Sequence, residues 1–110
     1  MNKATTLFKA LADPTRIRLA TLLALNGETC VCMLAQATGE ADFKVSRHLA
    51  VLRSAGIVEA RREGTWMHYK LADSGDSLQE GVLDCLRNCL KDNNTITEDL
   101  CRLAHAACAK

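Results

Sequence analysis

The chain is poor in the residues that break or loosen structure. It has one proline and six glycines in 110 residues, too few for a flexible linker or a low-complexity segment. Aromatic residues make up only 4%, so the core must be built from Leu, Ala, Val and Ile. No apolar run is long enough to span a membrane. Met1–Lys3 leads straight into the amphipathic run Ala4–Ala12 without a signal sequence, so the expectation is a cytoplasmic protein with reduced thiols. There is no Gly-rich phosphate loop, nucleophile elbow or buried pair of carboxylates. That argues against an enzyme and against an organic cofactor. The length fits one domain, residues 1–110.

What is present is helical punctuation. Leu7, Phe8 and Leu11 mark a first helix over Thr5–Leu11. Asp13-Pro14 predicts the start of a second over Thr15–Leu25: Asp13 caps, and Pro14 suits a first helical position whose N–H would be unpaired anyway. Asn26-Gly27 stops it. Thr29 is the expected cap of a short third helix, Cys30–Thr38, ended by Gly39. A fourth, Phe43–Ser54, carries Val45, Leu49 and Leu52 at i, i+4, i+7 and ends at Ala55-Gly56. The period then changes. IVEARR and TWMHYKL, separated by Glu63-Gly64, read as a β-hairpin. Ser77–Leu90 and Thr97–Ala109 read as two amphipathic helices joined by DNNT.

A short helix, a turn, a helix with a polar outer face and a basic hairpin make a winged helix-turn-helix, mostly α with a β-hairpin wing. The net charge is only +1, but residues 41–72 carry +3 and the remainder −2. The positive charge is therefore local, as on a nucleic-acid contact face. Lys44, Ser46 and Arg47 project from the polar side of the fourth helix and can reach base edges or phosphates of double-stranded operator DNA. His48 joins them as a hydrogen-bonding residue at the helix edge, and Arg61 and Arg62 of the hairpin can straddle a minor groove or phosphates.

The blocks FKALADPTRIRLATLL, CVC and KVSRHLAVLRSAGIVEARREGTWMHYKL resemble the ArsR/SmtB bacterial metalloregulators, and most of all the arsenical-resistance repressors. The resemblance covers about residues 5–72. It implies a homodimeric repressor that releases its operator when an ion binds, with the first and late helices as the dimer interface. The apolar stripes Leu7, Phe8, Leu11 and Leu78, Val82, Leu86 fit that role. Two departures stand out. The arsenite repressors typically read C-V-C-D-L-C at the third helix; here Met33 replaces the acidic residue and Ala35 the third cysteine. Ala41-Asp42-Phe43 replaces the usual Ser-Gln-Pro or Ser-Gln-Ser before the recognition helix, so operator readout differs at that end.

The six cysteines offer two candidate sites for As(III) or Sb(III), soft ions that take thiolates. Cys30 and Cys32 are preferred. Capped by Thr29, they would sit in a first helical turn, whose free N–H groups and positive end favour thiolate. Two residues apart in a helix they point about 200° apart, so shared coordination would have to unwind that turn. Arsenite favours three sulfurs, whereas a monosubstituted trivalent organoarsenical needs two. The second candidate is Cys85, Cys89 and Cys101. Cys85 and Cys89 share a helix face, and an antiparallel fold-back at DNNT would set Cys101 opposite Cys85. Cys108 falls i+7 from Cys101, without an assigned role. Each cysteine could instead be packing, or a thiol redox or persulfide sensor could use the same fold, with a Cys85–Cys101 disulfide. Zinc sensing is a weaker rival, because zinc generally takes four ligands.

Overall fold

A computed structural model describes residues 2–107. Its elements are α1 (Asn2–Leu11), α2 (Pro14–Asn26), β1 (Thr29–Cys30), α3 (Val31–Thr38), α4 (Asp42–Ser54), β2 (Val58–Glu63), β3 (Trp66–Leu71), α5 (Ser77–Leu90) and α6 (Asn94–Ala104). This is the mostly helical winged helix-turn-helix that the pattern predicts. The punctuation works as expected. Asp13 Oδ2 accepts from the Arg16 N–H at 3.0 Å, with Pro14 in the first helical position. Gly39 ends α3 in the left-handed region at φ 74, its N–H bonded to the Ala35 carbonyl, a conformation that favours glycine.

The core forms where α2 crosses the other helices. Leu19, Leu22 and Leu23 of α2 meet Leu34 of α3, Val45, Leu49 and Leu52 of α4, and Ile57, all with no more than 2% of their surface exposed. Each such side chain contributes about 1.5–3 kcal/mol on burial. Leu7 and Leu11 also fill this core, so they are not dimer-face residues as the stripe suggested. Phe8 and Leu78 do remain exposed, at 53% and 42%; Val82 and Leu86 are half-buried against the core.

Three expectations fail. Thr29 does not cap α3: it pairs with Tyr69 in β1, its hydroxyl donates to the Gly27 carbonyl, and Cys30 occupies the cap position in an extended conformation. The wing is therefore a three-stranded antiparallel sheet, in the order β1-β3-β2. Next, α6 starts earlier and stops earlier than the sequence suggests. Asn93 caps it by accepting from the Thr95 and Ile96 N–H groups, and it ends at Ala104, before Cys108, which lies outside the described residues. Last, α5 and α6 do not fold back on each other as a hairpin. α5 packs on α2, and α6 packs on α3.

A buried ionic cluster holds that last arrangement. The Asp99 carboxylate on α6 is fully buried. Arg18 of α2 donates to it twice, at 2.8 Å each, and Arg102 donates at 2.7 Å. Arg18 also donates to the Thr38 carbonyl and Arg102 to the Ala37 carbonyl. The unpaired carbonyls that end α3 are thus satisfied by cations, which the negative end of a helix favours. Asp99 in turn raises the Arg18 pKa, through the hydrogen bond first. Removing one partner of such a cluster generally costs about 3–5 kcal/mol. Arg18→Ala is expected at the low end, about 3 kcal/mol, because Arg102 keeps one bond to the carboxylate. A urea titration checks this through a lowered midpoint at unchanged slope.

Candidate nucleic-acid interface and thiol site

The turn between α3 and α4 is short, residues 39–41. Val45, Leu49 and Leu52 anchor α4 inward, so its outer face is set by helical geometry. Phe43, Lys44, Ser46, Arg47, Ala50 and Arg53 are exposed there. The Arg47 guanidinium lies 5.9 Å over the Phe43 ring, a cation–π contact that holds it near the N-terminal end of the helix. His48 is turned inward. Its Nδ1 is 3.3 Å from an Arg16 nitrogen and 3.8 Å from the Asp13 carboxylate. It joins the recognition helix to the start of α2 and does not stand with Lys44, Ser46 and Arg47 on the exposed face, contrary to the sequence expectation.

The two wing arginines differ. Adjacent strand residues point to opposite faces. Arg61 is paired with Glu28 at 2.6 Å and with Glu63 at 2.8 Å; this holds the Glu28 carboxyl below its ordinary pKa and the guanidinium above its own. Arg62 is exposed with no ion-pair partner among the described residues. Sequence reasoning overlooked Glu28. The only signal was its place immediately before the short strand β1, which pairs with the wing.

The thiol pair is better assembled than its spacing suggested. Because Cys30 is extended and Cys32 is helical, their sulfurs lie 3.7 Å apart. No unwinding is needed to bring them together, which corrects the sequence expectation. With bonds of about 2.3 Å, the usual metal–thiolate length, that separation subtends about 107° at a shared ion. Cys30 is buried, and its thiol donates to the Cys32 sulfur. Cys30, Cys85, Cys89 and Cys101 are free thiols, whereas Cys32 is disulfide-bonded, so a metalloid requires the reduced form. Cys32 opens on a cavity of about 390 Å³ that is also lined by Ala35, Gln36, Trp66 and Ala107.

The second cysteine cluster does not form as expected. Cys85 and Cys89 are exposed with sulfurs 3.8 Å apart. With α6 packed on α3, Cys101 is not drawn onto them, and no set of three His, Cys, Asp or Glu able to hold a metal occurs among the described residues. The Cys85 thiol is pushed up, first by its hydrogen bond to Cys89 and then by the charge there, which lowers its thiolate fraction at neutral pH.

An exposed polar helix seated on its supporting helix, beside a basic three-stranded wing, defines a DNA-binding winged helix-turn-helix regulator. Residues 13–60 match the family described as bacterial regulatory protein, arsR family. The arsenical resistance operon repressor of Escherichia coli is 38% identical over 97 residues, covering 87% of this chain and 83% of that protein. The chain belongs to the ArsR family of transcriptional regulators. The arsenic resistance transcriptional regulator ArsR1 of Pseudomonas putida is 47% identical over 81 residues, and the match covers 70% of this chain and 63% of that relative's length. Among solved structures, the antimony-specific transcriptional repressor AntR superposes with a TM-score of 0.67 at 37% identity, covering 81% of this chain and 77% of that one. A homodimeric winged helix-turn-helix domain from Mycobacterium bovis gives 0.67 at 31% identity, covering 84% and 82%.

Each phosphate contact adds about 0.9 to the slope of log affinity against log salt. Lys44→Ala and Arg62→Ala are each expected to reduce that slope by about 1. Arg61→Ala is expected to reduce it less, because Glu28 and Glu63 already neutralise the guanidinium. Operator binding measured across a salt series distinguishes the two wing positions.

Proposed function

We propose that the protein is a homodimeric cytoplasmic repressor. It holds operator DNA through Lys44, Ser46 and Arg47 of α4 and Arg62 of the wing, and releases it when trivalent arsenic or antimony binds Cys30 and Cys32. The carrying observation is the 3.7 Å separation of the two sulfurs at the junction of β1 and α3. The arsenic-related names of the relatives and the antimony specificity of AntR support the ligand class. The exposed Phe8 and Leu78 on α1 and α5, together with the homodimeric relative, support the dimer.

The chemistry is ligand exchange. Each new As–S bond replaces an As–O bond, the thiol proton leaves with hydroxide as water, and arsenic stays trivalent. The ion ties Cys30 to Cys32, so it acts on two elements at once. Cys30 is paired with His68 of β3 in the wing. Cys32 belongs to α3, which supports α4. A ligand that binds more tightly when those two elements shift lowers the population of the DNA-binding arrangement.

A thiol redox repressor is the second reading. It is favoured by the disulfide-bonded Cys32 and by the close Cys85–Cys89 pair. Arsenite, peroxide and polysulfide titrations of operator release separate the two readings. Under the metalloid reading, Cys30→Ser and Cys32→Ser each abolish release by arsenite while leaving operator affinity within about threefold of the parent, less than 1 kcal/mol. Release by peroxide or polysulfide but not by arsenite would reverse the assignment.

A further inference from the structure

We propose that the thiol pair takes an arylated arsenical, a trivalent arsenic carrying one aromatic ring, and that the cavity beside Cys32 receives the ring. The inference rests on Cys30 and Cys32 being the metalloid pair, and adds to it what fills the remaining position on arsenic.

Trivalent arsenic takes three substituents. In the reduced chain Cys30 and Cys32 supply two, from sulfurs 3.7 Å apart. Among the described residues, no set of three His, Cys, Asp or Glu able to hold a metal forms around them. What adjoins Cys32 is a cavity of about 390 Å³. A benzene-sized group occupies a cavity of about 150 Å³, so one ring fits.

Three lining residues suit that ring. Ala35 is buried in α3 and presents only a methyl group. Trp66 opens β3 and is half-buried. The strand register explains its place. Thr29 faces Tyr69 and Cys30 faces His68, so two residues further on Trp66 comes level with Cys32, and both line the cavity. Gln36 lies four residues beyond Cys32, on the same helix face. Its amide is held, because Nε2 donates to the Ala107 carbonyl at 2.8 Å and Oε1 accepts from the Ala107 N–H at 3.2 Å. An aryl group thus meets a methyl, an indole and a fixed amide, and aromatic pairing adds to its burial. Glu40 and Asp42 border the same cavity, so a neutral ring is accepted and an anionic one repelled.

The exchange balances. Hydrated phenylarsine oxide carries two hydroxyls and one ring. Each thiol displaces one hydroxyl, and its proton leaves with that hydroxyl as water. Two As–S bonds replace two As–O bonds, the As–C bond is kept, and arsenic stays trivalent.

The test uses the reduced full-length chain. The probes are phenylarsine oxide, 4-carboxyphenylarsine oxide and methylarsine oxide, which has the same two exchangeable positions but no ring. One readout is operator release by fluorescence anisotropy. The other is the emission of Trp66, the only tryptophan of the chain. Phenylarsine oxide is expected to shift that emission to shorter wavelength, as the ring displaces water from the indole, and methylarsine oxide to shift it less. Trp66→Ala is expected to raise the phenylarsine oxide concentration for half-release roughly tenfold and to leave the methyl response as it was. Trp66→Phe keeps an aromatic partner and is expected to behave as the parent. The carboxylated ring is expected to need at least about tenfold more than the neutral one. Equal emission changes with the phenyl and methyl compounds, or equal effects of Trp66→Ala on both, overturn the inference while the thiol pair stands. Release by all three probes that persists in Cys30→Ser and Cys32→Ser would instead remove the reading beneath it.

Discussion

The carboxylate of Asp99 is the point on which the domain is organised. Fully buried, it needs compensating charge, and it draws Arg18 from α2 and Arg102 from its own helix. Those same guanidiniums reach the last carbonyls of α3. One acidic side chain thereby fixes three helices, and α3 in particular cannot drift along the core. Both functional regions depend on that. α4 is carried by α3 through a short turn, and Cys32 is part of α3 itself. A buried charge is expensive unless it is paired and hydrogen-bonded, so the cluster specifies one arrangement of helices rather than merely adding stability.

The second constraint is the two-residue strand β1. Its pairing with β3 takes Cys30 out of the helix and makes it part of the wing. The thiol pair thus spans a joint between the wing sheet and the helix that backs the recognition helix. Under the proposed function, a ligand at this joint would act on both the wing and the helix that backs α4, whereas one bound wholly within a helix would act on one. Glu28, immediately before β1, adds an electrostatic tie: it neutralises Arg61, whereas Arg62 has no ion-pair partner among the described residues.

Placement of the late helices follows from the same ionic cluster. Asp99 binds α6 to α2 and α3, while Gln79 of α5 donates to the Gly56 carbonyl after α4. The two helices are held on different partners. That arrangement separates Cys101 from Cys85 and Cys89, and it carries Ala107 to Gln36, four residues beyond Cys32 on α3.

Local chemistry was legible in the sequence. Asp13-Pro14, Gly39 and the i, i+4, i+7 stripe of Val45, Leu49 and Leu52 each act within a few residues, so they determined the helix order and the outward face of α4, as the β-rich runs about Glu63-Gly64 determined the hairpin of the wing. The cysteine spacing named the thiol pair but not its geometry. A two-residue strand has no periodicity to read, and its partner lies some forty residues away, so Thr29 passed for a cap. Amphipathic stripes show that α5 and α6 are half-buried without showing against what. Only tertiary structure decided that, because the deciding contact joins Arg18 and Asp99 across 81 residues, and a pair so distant leaves no local trace.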